Sequence, residues 1–430
     1  QGGDTIKLEI IGRPKNCVRG ECLIRQRIIA IKDKIIRKEH GGDTQFVCID
    51  LNDENEKFQL KLDGNSPKLD GFIQGQRYRI ETELDDDSQT EISNETISEI
   101  KNRLLTSLEH LKKLNDEKQL IADLWCHFGK ILVYNVDEEE SKNIFTPVDF
   151  NRRLMKIVSN NKDKNAYWKV SFEEGVDPSV DEALPESEDD NHRFPRLKLV
   201  HTQWRYDFGF GTPSYRNVRL KAWKCLRSGP PGSDDQPPDE VKNILTPVFL
   251  QAEKDMKAWI CYPSVTVLRG EIMTPNSPYD CRMKLRTGSR YVTDKDSVCL
   301  EEDAILSDYL SHCTLVKKDD NMTLCLPDEE NHKIPDGFGC IFYREAKEKI
   351  FSATADEECF TVIVLDEKGW DSDSTEKREQ KQFGIRVVMN SWSEALLSPE
   401  QDWTPEEIVA KLDKYMDFLS SLKNYLFDDS

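Results

Sequence analysis

Residues 193–227 concentrate the side chains best suited to act on a ligand. Nine bases lie there (Arg193, Arg196, Lys198, Arg205, Arg216, Arg219, Lys221, Lys224 and Arg227) against a single acid, Asp207. Seven rings interleave with them: Phe194, Trp204, Tyr206, Phe208, Phe210, Tyr215 and Trp223. Cationic heads can follow a phosphate backbone while aromatic faces stack bases at ~1–3 kcal/mol each, so the pattern suits single-stranded nucleic acid. The contact is expected from Arg196, Lys198, Trp204, Arg205, Tyr206, Phe210, Tyr215, Arg216, Arg219, Lys221, Trp223 and Lys224. Gly209 and Gly211, on either side of Phe210, would let a ligand approach the backbone closely. Two blander arrangements compete. The rings can face a core while the alternating bases face water, or the bases can pair with the acidic stretch that precedes them.

Signatures of catalysis are missing. The chain has no G-x-S-x-G, no H-E-x-x-H and no G-x-x-x-x-G-K. Cys17 and Cys22 with Cys48, or His312 and Cys313 with Cys325 and Cys340, lack the spacing of known zinc knuckles. Cys126 and His127 are neighbours on what reads as a helix, where adjacent side chains point apart. No catalytic residue, metal ligand or cofactor is therefore expected. Twelve Cys in 430 residues are too dilute for a disulfide scaffold. Those in apolar runs, such as Cys48 and Cys359, read as reduced core residues, which points to a nuclear or cytoplasmic compartment.

Lys plus Arg number 60 and Asp plus Glu 80, a formal net charge of −20. That balance opposes contact with nucleic acid over the whole surface and leaves room only for a local basic face. No run of 18 apolar residues occurs, so no transmembrane helix and no membrane partner are expected. The length calls for more than one module. Alternation and turn signals place strands in residues 5–85. Ile97, Ile100, Leu104, Leu108 and Leu111 step by three or four and predict a helix. Leu120, Ile121, Leu124, Trp125 and Phe128 read as a further helical face, followed by a strand from Lys130 to Val136. Thr146 before Pro147 predicts a helix start. Residues 173–191 hold nine acids and no base, an acidic loop. Residues 258–390 are rich in strands. Thr404-Pro405-Glu406-Glu407 opens a C-terminal helix whose stripe of Ile408, Leu412, Tyr415, Met416, Leu419, Leu422 and Leu426 should dock on its own domain.

The N-terminal stretch resembles the OB-fold single-stranded nucleic-acid-binding proteins of the replication and telomere type. The resemblance lies in a long bent first strand from Leu23 to Arg37, then Phe46-Val47-Cys48-Ile49-Asp50-Leu51, Phe58-Gln59-Leu60-Lys61-Leu62 and Gly75-Gln76-Arg77-Tyr78-Arg79-Ile80. It implies a small barrel whose groove Arg25, Arg27 and Tyr78 would line.

The expected fold class is α+β. An OB-like barrel over 1–90 leads through a helical connector to a mixed α/β module over 91–240, which carries the acidic loop and the basic-aromatic segment. A strand-rich module over 241–430 ends in a helix. The expected function is a non-enzymatic subunit of a nucleoprotein complex, with protein partners and single-stranded nucleic acid as ligands. The alternatives are a pure protein-interaction scaffold and a metal-dependent enzyme acting on nucleic acid.

Overall fold

Long alternating segments become long strands, and they join into one large mixed sheet. The computed structural model describes residues 9–12, 24, 28, 31–36, 45–50, 57–65, 76–82, 92–114, 120–134, 136, 139–150, 152–153, 169–173, 197–212, 215–226, 259–261, 266–275, 277, 279–292, 314–318, 321–325, 339–371, 380–397 and 402–428. In chain order the elements are β1 (Gln45–Ile49), β2 (Phe58–Asn65), β3 (Gln76–Thr82), α1 (Asn94–Leu114), β4 (Leu120–Tyr134), β5 (Ile144–Phe145), β6 (Lys169–Glu173), β7 (Lys198–Thr212) and β8 (Tyr215–Leu226). There follow β9 (Trp259–Cys261), β10 (Thr266–Met273), β11 (Asp280–Val292), β12 (Thr314–Lys318), β13 (Asn321–Cys325), β14 (Gly339–Ala355), β15 (Glu358–Asp371) and β16 (Gln380–Met389). Three helices close the chain: α2 (Asn390–Leu397), α3 (Pro405–Val409) and α4 (Leu412–Asp428).

The main path of hydrogen-bonded strands runs β1-β10-β11-β4-β16-β15-β14-β7-β8. Its pairs are antiparallel except β1 with β10. Edge strand β8 lies beside β9, which pairs with the far end of β11, so the sheet curls towards itself. The pairing path nevertheless does not close into a barrel.

Two apolar clusters hold this frame. The larger fills the space between one sheet face and the helices, with Leu124, Cys126, Phe128, Met283, Leu285, Val362 and Val387 meeting Leu104, Leu108, Tyr415, Leu419 and Leu422. Burial of such side chains is worth about 1.5–3 kcal/mol each. The smaller cluster lies where the second half of β4 leaves the main sheet and pairs with β3 and β6. Ile131, Val133, Phe58, Tyr78, Phe145, Phe150 and Phe172 fill it.

The α+β class expected from the sequence holds, as do α1, the Thr146 helix start and the strands of 258–390. The C-terminal stripe docks on its own chain. Thr404 and Glu407 form the reciprocal cap, and Tyr415 donates its hydroxyl to the Val387 carbonyl at 2.8 Å while accepting from the Cys126 amide at 2.9 Å.

Three expectations are corrected. Among the described residues the OB-like barrel does not form: β1 joins β10, whereas β2 and β3 pair with each other and with β5 and β4. Its long first strand is instead helical at Ile24, Ile28 and Ile31–Ile36. There Asp33 meets His110 of α1 at 3.2 Å and Ile36 packs into the larger core, so tertiary contacts override the strand preference of isoleucine. The helix expected over 120–128 is the first half of β4. Cys359 is exposed, although Cys48 is a buried thiol as expected; Cys126 and Cys281 are buried too. The acidic loop lies outside the described residues apart from Glu173. Among the described residues, no helix is long and apolar enough to cross a membrane.

Candidate functional site

Charge collects on the face of the sheet turned away from the helices. On β11, Cys281, Met283 and Leu285 point to the larger core, and the intervening positions are Arg282, Lys284 and Arg286. A strand alternates its side chains with period two, so these three bases form one row. On β4 the same parity gives Asp123, Trp125 and His127. The register then aligns groups across strands. Glu271 of β10 stands opposite Arg282, which stands opposite His127, which stands opposite Arg386 of β16. One pair along, Arg269 faces Lys284 and Lys284 faces Trp125; beyond them Arg286 faces Asp123.

The rows grade from open to closed. Asp123 is exposed, Trp125, Lys284 and Arg286 are half-buried, and His127, Arg282 and Glu271 are buried. Glu271 has no solvent exposure, and its Oε1 accepts from Arg282 Nη2 at 2.6 Å and from Arg269 Nε at 2.8 Å. Its Oε2 has no hydrogen-bond partner. The Phe172 ring lies on the other side of Arg282, its centroid 4.1 Å from the guanidinium carbon. Arg386 lies over Trp125 at 5.5 Å. Trp125 Nε1–H donates to His127 Nε2. Burial, then the charges of Arg386, Lys284, Arg282 and Arg286, hold His127 well below the usual histidine range, so the imidazole is neutral.

This face therefore carries Arg269, Arg282, Lys284, Arg286 and Arg386 against Glu271 and Asp123. Of these five bases only Arg282 is buried, paired with the buried Glu271, and the other four are half-buried. Arginine and lysine suit phosphate, arginine through its planar fork of donors. Farther along the same face, Glu348 and Glu367 are buried carboxylates, and Arg344 Nη1 lies 3.7 Å from Glu367 Oε1. Among the described residues, no three His, Cys, Asp or Glu side chains come together as a metal cage.

The basic-aromatic segment forms the hairpin of β7 and β8, joined to β14 through β7. Register sets Trp204 opposite Lys224, Arg205 opposite Trp223 and Tyr206 opposite Ala222; Lys221 pairs with Asp207, Arg219 with Gly209 and Phe210 with Val218. Tyr215 pairs with Thr212, and Arg216 follows it in β8. Lys198 is exposed. Arg196 lies outside the described residues, as do the side chains of Trp204, Arg205, Tyr206, Phe210, Tyr215, Arg216, Arg219, Lys221, Trp223 and Lys224. Arg25 and Arg27, expected in a barrel groove, are also outside. Tyr78 is buried in the smaller core and donates its hydroxyl to Gln76 Oε1 at 2.7 Å.

The charged face escaped the sequence reading because its members are scattered from Asp123 to Arg386. The local signal that could have found it is the alternation Cys-Arg-Met-Lys-Leu-Arg at 281–286. Cys126 and His127, dismissed as a dyad on helical grounds, are neighbours on a strand and point to opposite faces.

No protein-family model matches the sequence, and no curated protein is significantly similar to it. Solved structures give distant likenesses. One is the Pct1 RNA triphosphatase of S. pombe, with TM-score 0.35 and 12% identity, covering 77% of this chain and 93% of that one. The same enzyme in complex with the Spt5 CTD gives TM-score 0.34, with the same identity and coverage. At these TM-scores the likeness assigns neither fold nor activity to this chain. Both solved structures are of an RNA triphosphatase, not of the non-enzymatic nucleoprotein subunit expected from the sequence.

Proposed function

We propose that this chain is an enzyme acting on the phosphates of a nucleic acid. The observation that carries the reading is the buried His127 flanked in register by Arg282 and Arg386, with Lys284 and Arg286 nearby. A molecule of net charge −20 that gathers cations on one sheet face is adapted to a concentrated anion. Fixed cations there would stabilise the charge that builds on phosphoryl oxygens during transfer, without reorganising at the moment of reaction. Trp125, half-buried and opposite Lys284 in the register, offers an aromatic surface beside these bases. Besides Glu271, Glu348 and Glu367 are buried carboxylates on this face that could orient water or take a divalent cation. The described side chains do not complete a metal cage around them. The support is the charge of the face, not the distant structural likeness.

Phosphate release from 5′-triphosphorylated RNA, measured with and without Mg²⁺ or Mn²⁺, tests the proposal. Lys284→Ala and Arg286→Ala each remove one half-buried cation. Each should weaken binding of that RNA about tenfold and lower the salt dependence by about one counterion. An absence of both binding and phosphate release in the unaltered chain would refute the proposal.

A further inference from the structure

The helical backbone at residues 24, 28 and 31–36 has an inner side held by the body and an outer side that is apolar. On the inner side Ile36 is buried in the larger core and Asp33 meets His110 of α1 at 3.2 Å. On the outer side Ile28, Ile31 and Ile35 step by three and four, which puts them on one face of a helix. They are 43%, 48% and 49% exposed. Single exposed isoleucines are ordinary on a protein surface, whereas a stripe of them marks a contact. Nor do they serve the helix itself, because isoleucine forms helices less readily than alanine, leucine or lysine. Alternating steps of three and four are the spacing by which one helix packs along another. The stripe is about two turns long.

Lys32, half-buried, and Lys34, exposed, fall on opposite flanks of this stripe. Over residues 24–36 the sequence holds Arg25, Arg27, Lys32 and Lys34 against Asp33 alone, in a chain of net charge −20. The basic flanks select the occupant. A second copy would set lysine against lysine across a two-fold seam. A single-stranded nucleic acid would find aliphatic side chains where stacking needs rings. An anionic lipid surface would be opposed by the negative charge of the body.

We infer that residues 28–35 form a docking surface for an acidic amphipathic helix of a partner protein. The inference goes beyond the proposed phosphate chemistry, which uses none of these residues. The partner's apolar side chains pack on the isoleucines, and its carboxylates meet Lys32 and Lys34. The stripe supplies affinity and the lysines supply discrimination.

The probe is a synthetic helix about three turns long, with leucine at alternating third and fourth positions and glutamate beside them. Its control carries lysine in place of each glutamate. By fluorescence anisotropy the full chain should bind the glutamate helix at least about tenfold more tightly than the lysine helix. Ile31→Ser and Ile35→Ser, both at exposed positions, should each weaken that binding about tenfold with unchanged thermal unfolding. Lys32→Glu combined with Lys34→Glu should reverse the preference between the two helices. Binding of neither helix, equal binding of both, or indifference to the isoleucine substitutions overturns the inference. A dimer that Ile31→Ser turns into a monomer in sedimentation assigns the stripe to a second copy. Loss of phosphatidylserine-vesicle binding on the same substitution assigns it to lipid. Tighter glutamate-helix binding after deletion of residues 175–190 assigns it to the chain's own acidic stretch. Each of these three results overturns the inference as well, and phosphate release is unaffected by any of them.

Discussion

Replacing Glu271 with glutamine separates what the charged face does for stability from what it does for a ligand. The carboxylate has no solvent exposure and receives two guanidinium groups on one oxygen, with Arg282 and Arg269 Nη2 each at 2.6 Å. Arg282 is itself buried, and its other side is covered by Phe172. Glu271→Gln keeps the shape and removes the charge, leaving Arg282 without its neutralising anion in a region water does not reach. Breaking one partner of a buried pair costs about 3–5 kcal/mol. Arg269 is partly solvated and recovers some of the loss, so about 3 kcal/mol is expected. Urea unfolding should show it as a lower midpoint at unchanged slope. The same substitution increases the positive surplus that meets an anion, so affinity for tripolyphosphate should rise severalfold while stability falls. A stability change under about 1 kcal/mol, or a loss of affinity parallel to the loss of stability, would refute the reasoning.

Two further outcomes follow from the geometry. Tyr415→Phe strands the Val387 carbonyl and the Cys126 amide, both bonded to the buried hydroxyl. At about 1–3 kcal/mol per unsatisfied group, the cost should be at least about 2 kcal/mol by chemical denaturation, with no change in the fold by circular dichroism. His127 has its folded-state value below the ordinary 6.5, so below pH 6.5 the unfolded chain binds a proton that the folded chain refuses. Its contribution is complete above pH 6.5 and is lost as pH falls. Stability should therefore drop more steeply from pH 6.5 to 5 in the unaltered chain than in His127→Gln, by up to ~1.4 kcal/mol per pH unit. Parallel curves for the two proteins would show that His127 is not held neutral.

What could be read from the sequence depended on how local each signal was. Helix α1 and the C-terminal stripe were legible because three- and four-residue steps record one apolar face over a continuous stretch. Strand β4 was misread because Leu120, Leu124 and Phe128 fit a helical step as well as they fit alternation. The polar partners Asp123 and His127, which decide the matter, are outnumbered by apolar neighbours. A strand whose two halves cover different cores carries no clean pattern. The candidate site was illegible for a related reason. Contiguous charge drew attention to 193–227, whereas the aligned row of Glu271, Arg282, His127 and Arg386 exists only through strand register. Single cations on alternate positions look like the solvated face of any strand until pairing shows which ones meet.

Strand β4 takes part in both halves of the architecture. Its first half is pinned between β11 and β16, and its second half carries β3 and β6. The pieces of the cationic face are drawn from chain positions as distant as Leu120 and Met389, and none can take its place before the others are in position. Because its contacts are remote in sequence, that face is expected to form more slowly than the local contacts of the C-terminal helices. A proteolytic fragment carrying only β10 and β11 would retain four of the five bases, Arg269, Arg282, Lys284 and Arg286, but neither His127 nor Arg386, which complete the row.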